Sequence, residues 1–228
     1  MSKNVFKDSF IYYYPKDIVG GDFYFTYQLE DDLIFGVADC TGHGVPGAML
    51  SLLCMTFLDN AINTHKLTVP NLILEKVNEL LKNSFKQGDF LVRDGMDISV
   101  VTYNKKKSKL SFSGANSKIL LIHNNERTLL DGDSKPIGYW LSDDNTSFKT
   151  KNIDLKENMN MYIFSDGLAD QFGGERRKKL KYLKFYELLQ SINELPSKDQ
   201  KKSLSKFTLD WIGDEEQIDD ITIAGIKF

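Results

Sequence analysis

The sequence predicts an α+β fold in which mainly antiparallel sheets are covered by pairs of helices. Strand-like stretches rich in aromatic and β-branched residues lie on both sides of a helix pair, and a second helix pair precedes a closing strand. This order differs from the regular βαβ alternation of a parallel sheet. Because no change in composition suggests a linker, the chain is expected to be a single domain, 1–228.

The first forty residues carry three strand patterns, at 10–14, 23–29 and 33–38, separated by Gly-Gly and Asp-Asp pairs. The spacing of the apolar residues then changes from that of a strand to that of a helix. Apolar residues recur at three- and four-residue spacing from Pro46, a residue suited to the first turn of a helix, and predict a helix over 46–63.

A second helix is expected over 70–85, with its apolar residues on one face. Strand patterns then return, joined by lysine-rich or Gly-Ala-Asn turns that are typical of an antiparallel meander. The remaining predicted elements are strands at 98–103, 110–113, 119–123 and 159–165, helices at 185–192 and 203–211, and a last strand at 221–228.

The composition is that of an ordinary globular protein, with 41% hydrophobic and 27% charged residues. A net charge of −3 gives no general reason to expect a nucleic acid or an anionic membrane as partner. The N-terminus lacks a signal-peptide core, and the longest apolar stretch, 48–58, is too short to span a bilayer. The two cysteines, Cys40 and Cys54, lack metal-site spacing, which favours reduced thiols and a cytoplasmic location.

Aspartates stand at the ends of four predicted strands. Asp22 follows a Gly-Gly pair at a strand start, Asp39 and Asp166 each end an apolar run, and Asp219 and Asp220 directly precede the last strand. A single aspartate at such a position is usually a turn former or a helix cap. Because four strand ends carry such a residue, we predict instead that the carboxylates lie close together in the folded chain.

Converging carboxylates repel one another by about 4 kcal/mol per close pair at an effective dielectric constant near ~20, so they need raised pKa values or a cation. Ligand sets made only of oxygen select Mg²⁺ or Mn²⁺. The scattered histidines, His43, His65 and His123, argue against zinc. Because paired metals held by carboxylates activate water against phosphorus, the residues predict hydrolysis of a phosphate ester.

A glycine-rich loop, CTGHGVPG, joins Asp39 to the first helix. Its glycines permit positive φ, and the start of the helix could direct its positive end toward an anion. His43 is a candidate to contact the phosphate or the leaving group, although a lone loop histidine is more often a structural hydrogen-bonding residue.

The same loop contains the pattern G-x-G-x-x-G, which raises the alternative of a dinucleotide-binding oxidoreductase. Three residues separate the strand from the first glycine, and the helix is followed by another helix instead of a second parallel strand. The acid at the expected distance, Asp59, lies inside the predicted helix. These features disfavour the alternative.

Six segments together carry a family resemblance, and they occur in order. They are VGGDFY (19–24), ADCTGHGVPGA (38–48), DGMD (94–97), SGAN (113–116), FSDGL (164–168) and DDIT (219–222). They resemble the SpoIIE-type branch of the metal-dependent type 2C (PPM) serine/threonine phosphatases, over about residues 10–228.

This resemblance implies a four-layer α-β-β-α sandwich with two Mn²⁺ or Mg²⁺ ions between its sheets. Asp39 is expected to bridge the ions, and Asp39 and Asp166 to act in catalysis through a metal-bound water. Asp220 stays open as the alternative to Asp219. The implied metal ligands are Asp22, Asp39, the backbone carbonyl of Cys40, Asp166 and Asp219.

The implied substrate is phosphoserine or phosphothreonine on a regulatory protein, typically a STAS-type antagonist of an anti-sigma factor. Helices 46–63 and 70–85 match the regulatory pair of the family, which implies coupling to an upstream sensor or a homodimer. The sequence departs from many relatives at Phe25, where they carry a further aspartate, and at Cys40, where they carry a small or β-branched residue.

Two further interpretations stay open. The basic run at 176–184 is either a solvated surface or a flap that meets an acidic or phosphorylated partner. The whole domain could also be a catalytically silent binding or signalling module. Loss of a metal-ligand acid would mark such a module, and none of the expected acids is missing.

Overall fold

The computed structural model describes residues 6, 8–85, 94–138 and 147–228. The predicted domain also spans 1–5, 7, 86–93 and 139–146, which lie outside the described residues, so its extent stays a prediction. The described strands are β1 (Asp8–Tyr14), β2 (Phe23–Leu29), β3 (Asp32–Cys40), β4 (Gly95–Asn104), β5 (Lys109–Ala115), β6 (Lys118–His123), β7 (Glu126–Asp131), β8 (Ile137–Gly138), β9 (Lys151–Ile153), β10 (Asn160–Phe164), β11 (Phe172–Gly173), β12 (Lys178–Lys179) and β13 (Ile221–Lys227). The described helices are α1 (Gly44–Asp59), α2 (Pro70–Phe85), α3 (Gly167–Asp170), α4 (Lys181–Ile192) and α5 (Ser197–Ile212), and a π-helical turn, Asn60–Thr64, continues α1.

The strands form two large sheets whose ladders are antiparallel. The first has the order β2-β3-β4-β5-β9, with β8 paired to β4, and the second has the order β1-β13-β10-β6-β7. Strands β3 and β4 are antiparallel neighbours although α1 and α2 lie between them in the chain. The glycine-rich loop is therefore not part of a βαβ unit, and the dinucleotide-binding alternative has no structural basis.

Alternation along β3 explains how the layers stack. Leu33, Phe35 and Val37 belong to the core between the two sheets, whereas Ile34 and Ala38 belong to the core beneath α1 and α2. Both faces of the strand are buried, so its sequence is a continuous apolar run. The next residue in the first series is Asp39, and the alternation therefore directs its carboxylate into the space between the sheets.

The second sheet is buried on both faces in the same way. Met161 and Ile163 of β10 face the other sheet, while Tyr162 and Phe164 pack in a third core with α4 and α5. The result is the four-layer α-β-β-α order, which confirms the predicted fold class.

All predicted elements are present in the structure, although α4 and α5 begin four and six residues before their predicted starts. Strand β2 and helix α2 have the predicted limits, and α1 begins at Gly44, two residues before the predicted start. The sequence did not indicate β7, β8, β9 or the hairpin β11–β12. Strand β7 is largely exposed and the others have two or three residues each, so hydrophobic periodicity carries no signal for them.

One described helix, Gly44–Thr64, is long and apolar enough to cross a membrane by length and composition alone. This segment is longer than the 48–58 stretch that the sequence analysis considered. Several of its side chains, including Cys54, Leu58 and Ile62, are fully buried against the first sheet and α2. A core helix passes the same test, so the finding is weak support for a membrane span.

Candidate metal centre

Antiparallel pairing brings two carboxylates side by side between the sheets. Asp39, near the end of β3, is directly opposite Asp97, near the start of β4. Opposite residues of an antiparallel pair point to the same face, so both side chains enter the cleft. The amide of Asn116 donates a hydrogen bond of 2.6 Å to Asp97 Oδ2 and fixes that carboxylate. Sequence reasoning included Asp97 only within the DGMD motif and missed it as a site residue.

The second sheet supplies two more carboxylates. Asp166 follows β10, and Asp219 precedes β13, the neighbouring strand. A cavity of about 300 Å³ is lined by Asp39, Asp97, Asp166 and Asp219 together with the Cys40–Gly42 loop. Three of the four predicted strand ends, those of Asp39, Asp166 and Asp219, therefore bring their acids to one cavity. Strand register, which the sequence does not display, is the signal that would have added Asp97.

Asp22 lies behind this cleft and is almost fully buried. The hydroxyl of Ser165 donates a hydrogen bond of 2.6 Å to Asp22 Oδ2 and in turn accepts one of 3.0 Å from the backbone N–H of Thr222. Burial raises the pKa of Asp22 to about 7, against the lowering effect of the Ser165 and Thr222 hydroxyls. One serine thus connects the start of β2 with the end of β10 and the start of β13.

The negative charge of each acid in the cleft disfavours ionisation of the other acids. Burial, followed by the charges of Asp22, Asp166, Asp219 and Asp97, raises the pKa of Asp39 to about 10. Burial also raises the pKa of Asp97 to about 6, and the pKa values of Asp166 and Asp219 are raised for the same first cause. Without a cation, this cluster therefore retains protons that ordinary aspartates lose.

Asp220 has a different environment from Asp219. It is buried, and its carboxylate accepts hydrogen bonds from the backbone N–H groups of Lys16 at 2.8 Å, Gly21 at 2.7 Å and Asp22 at 3.4 Å. Asp219 lines the cavity, whereas Asp220 holds the segment that carries Asp22. This difference favours Asp219 as the candidate ligand.

The glycine-rich loop supports close backbone packing. A Cβ atom added to Gly21 would lie 2.4 Å from the carbonyl oxygen of Gly42 and 2.9 Å from that of Cys40. Gly42 itself has φ of +84°, a conformation that favours glycine. These contacts place the Cys40 carbonyl against the turn that precedes Asp22, and the side chain of Cys40 is buried beneath α1.

His43 lies at the rim and is exposed. Its Nδ1 is 3.0 Å from Asp17 Oδ2, and its Nε2 is 2.9 Å from the Nζ of Lys16. Because a lysine ammonium only donates, Nε2 is the acceptor and the ring proton is on Nδ1, directed to Asp17. In this arrangement Nε2 has no proton to give to a leaving group, and the catalytic role of His43 stays a prediction.

The cleft suits hard divalent cations in its chemistry. Its donors are carboxylate and carbonyl oxygens, and the pKa values of the acids are raised first by burial and then by the charges of neighbouring acids. Among the residues that the structure describes, no three acidic, histidine or cysteine side chains form a finished ligand set. The oxygen donors thus fit Mg²⁺ or Mn²⁺ in kind, and the individual ligand roles stay predictions.

The fold and the cleft define the class of protein. A four-layer sandwich with acids from both sheets between its layers is the architecture of a PPM-type protein phosphatase domain. The sequence model of the family "Stage II sporulation protein E (SpoIIE)" matches residues 30–228, and the chain belongs to this family. No curated protein sequence matches the chain significantly.

Solved structures share this fold. The SiaA-PP2C domain of Pseudomonas aeruginosa is 28% identical, with a TM-score of 0.87 over 96% of this chain and 85% of that one. The RsbU and RsbW domains of Rv1364c from Mycobacterium tuberculosis are 20% identical, with a TM-score of 0.73 over 96% and 60% of the chains. RsbX, solved in complex with magnesium, is 17% identical, with a TM-score of 0.64 over 96% and 94%.

Proposed function

We propose that this chain hydrolyses phosphoserine or phosphothreonine on a regulatory partner protein, in a reaction that depends on two Mn²⁺ or Mg²⁺ ions. The observation that carries the proposal is the convergence of four carboxylates, with Asp22 behind them, in one cleft. Their repulsion has no structural benefit, since apolar residues of similar size would pack the same space without it.

Acids from both sheets would hold the ions. Asp39 is central, because Asp22, Asp97, Asp166 and Asp219 all act on its charge, and it suits a bridging position. The Cys40 carbonyl and Asp22 adjoin it on the first-sheet side, and Asp166 and Asp219 on the second. When bound, the ions would supply charge to the phosphoryl oxygens and lower the pKa of a water nucleophile.

The residues around the acids orient them. Ser165 holds Asp22 and Asn116 holds Asp97, each through one short hydrogen bond. Asp220 fixes the backbone from Lys16 to Asp22. Such support keeps carboxylates in place before metal arrives, and its loss typically weakens metal binding about 10- to 100-fold.

The proposed partner is a phosphorylated regulatory protein of the STAS type, in the cytoplasm. Membership of the SpoIIE family supports this class, as does the similarity to a structure that contains RsbU and RsbW domains. The hairpin β11–β12 adds a physical reason. Lys179 of this hairpin pairs with Asp170 at 2.8 Å and lies close enough to Asp166 for each to shift the other's pKa. The basic run therefore borders the cleft, where it suits an acidic partner.

The proposed homodimer uses α1 and α2. The outer face of α1 carries Val45, Met49 and Leu52, each about two-thirds exposed, and Leu72 of α2 is also exposed. A contiguous apolar face of this kind is typical of an interaction surface. Sedimentation equilibrium of the wild type and of the double variant Met49→Lys, Leu52→Lys tests it. A dimer that the variant converts to monomer supports the proposal, and a monomeric wild type contradicts it.

The phosphatase proposal is tested by hydrolysis of p-nitrophenyl phosphate with Mn²⁺. We expect turnover that a chelator abolishes, and a loss of at least about 100-fold in Asp39→Asn and Asp166→Asn. Asp210→Asn is the matched control, because Asp210 is exposed on α5 and pairs only with Lys206 among the described contacts.

Calorimetric titration of Mn²⁺ separates the remaining outcomes. Metal binding without turnover on p-nitrophenyl phosphate or a phosphorylated STAS protein would favour the silent binding module. Neither binding nor turnover would refute the metal centre itself.

A further inference from the structure

A second cavity, of about 200 Å³, opens from the same carboxylates in another direction. It shares Asp39, Asp97 and Asp166 with the first cavity, and its lining also includes Asn116, Ser117, Lys118 and Tyr182. We call this space the lysine pocket. Lys118 is the only cation among the described residues that line either cavity.

The backbone of Lys118 is fixed by the turn before it. Asn116 has a φ of +47°, and its amide donates to Asp97 at 2.6 Å. The hydroxyl of Ser117 donates to the carbonyl of Ile98 at 2.6 Å and accepts from the hydroxyl of Ser99 at 3.0 Å. The turn is thereby bonded to β4, so Lys118, the first residue of β6, has a defined position beside the cleft.

Among the described residues, the side chain of Lys118 has only weak partners. Its ammonium is 4.6 Å from the centre of the Tyr182 ring and 4.0 Å from a carboxylate oxygen of Asp131. The Asp131 side chain is 66% exposed, and such surface ion pairs are worth little. The ammonium is therefore available to a stronger anion, while the ring of Tyr182 keeps it at the pocket.

Phosphate chemistry supplies such an anion. A phosphoserine side chain carries nearly two negative charges and three acceptor oxygens at neutral pH. Carboxylates cannot bind those oxygens directly, so oxygens turned away from the metals need a donor from the protein. Lysine binds phosphate as a point charge, and Lys118 lines the same cavity of about 200 Å³ as three of the acids.

We propose that Lys118 binds the phosphoryl group of the substrate in the lysine pocket, by exchanging its weak contact with Asp131 for a phosphoryl oxygen. Tyr182 holds the lysine stem and forms the wall along which the phosphorylated side chain enters. This inference rests on the proposed phosphatase function and adds a residue that positions its substrate.

The test compares Lys118→Met, which keeps the stem and removes the charge, with Lys118→Arg, which restores a cation. Lys151→Met is the matched control, because Lys151 bonds to the backbone carbonyl of the same Asp131 but does not line the pocket. For each protein, calorimetry gives the Mn²⁺ affinity and the affinity of the Mn²⁺-loaded form for inorganic phosphate. Hydrolysis of p-nitrophenyl phosphate gives kcat and KM.

We expect Lys118→Met to weaken phosphate binding and raise KM by about 10-fold or more, the loss typical of a hydrogen bond to a charged group. Mn²⁺ affinity should stay within about 2-fold, Lys118→Arg should recover most of the loss, and Lys151→Met should match the wild type. A change below 2-fold in phosphate affinity would overturn the inference. So would an equal loss of Mn²⁺ affinity, which would mean that Lys118 acts on the acid cluster.

Failure of the phosphatase proposal has a different signature. A wild type that binds Mn²⁺ and phosphate without turnover would contradict hydrolysis, and the phosphate affinities of the variants would still decide the role of Lys118. A Mn²⁺-loaded wild type that does not bind phosphate would overturn the inference directly.

Discussion

Two adjacent aspartates before β13 are expected to respond differently to the same substitution, one by a loss of stability and the other by a loss of metal affinity. Asp220 is buried and accepts three backbone hydrogen bonds, whereas Asp219 lines the cavity with the other acids. We therefore compare Asp219→Asn with Asp220→Asn. Both changes remove one negative charge and leave the side-chain shape unchanged, so each variant is the control for the other.

The contacts of each residue give the expected magnitudes. At Asp220, asparagine places an NH₂ group where one carboxylate oxygen accepted backbone N–H groups. Losing a hydrogen bond to a charged group costs about 1.5–3 kcal/mol, and a buried donor left unpaired adds about 1–3 kcal/mol. Relief of repulsion with Asp22 offsets part of this loss. We expect the free energy of unfolding to fall by about 2–3 kcal/mol.

At Asp219 the balance is different. Among the described contacts, its carboxylate accepts one hydrogen bond, of 2.8 Å from the backbone N–H of Asp220, and the asparagine carbonyl can keep it. Removing its charge also relieves the cluster. The metal-free free energy of unfolding should therefore stay within about 1 kcal/mol of the wild type, while Mn²⁺ affinity and metal-dependent turnover fall sharply.

Urea unfolding in a chelator measures the first effect, and calorimetric titration of Mn²⁺ measures the second. The reasoning would be refuted if Asp219→Asn bound Mn²⁺ and turned over substrate like the wild type. It would also be refuted if Asp220→Asn kept its full stability and lost the metal, since Asp220 would then be the ligand.

Two further predictions concern the acid cluster and the glycine contact. Because folding raises the pKa of Asp22 to about 7 and that of Asp39 to about 10, the native state holds protons that the unfolded chain loses near pH 4. Stability in a chelator should therefore fall as pH rises, by up to about 5 kcal/mol between pH 5 and pH 7, and urea unfolding at both values checks the sign. Gly21→Ala should lower the free energy of unfolding by about 1–3 kcal/mol and weaken Mn²⁺ binding, because the added Cβ meets the carbonyl oxygens of Gly42 and Cys40. Thermal unfolding and Mn²⁺ titration measure both effects, and wild-type values for this variant would show that the close approach is unimportant.

Periodicity in the sequence was enough for the long, well-packed elements. Strand β3 is apolar on both faces, and α2 has one apolar stripe, so their patterns are strong and their types were predicted correctly. The short strands β8 and β9 exist because neighbouring strands offer them unpaired backbone groups. That cause lies outside their own residues, so no local sequence pattern predicts these strands.

The acids of the centre illustrate the same limit. Asp39 and Asp166 could be recognised because each ends a buried strand, and a charged residue directly after an apolar run can be seen in the sequence alone. Asp97 could be recognised as a site residue only from its pairing with Asp39, because two helices separate these residues in the chain. Lys118 could be recognised only because Asn116 and Ser117 bond the turn before it to β4.

The sequence by itself determined the fold class, the family and the supply of carboxylates, because hydrophobic spacing and motif order are properties of the chain. Only the tertiary structure decided which of Asp219 and Asp220 faces the cleft, and that Lys118 lies beside it. The physical reason is that side-chain direction at a strand end depends on register and on the backbone donors nearby. Those donors come from residues about 200 positions away in the chain, as the contact of Asp220 with Gly21 shows.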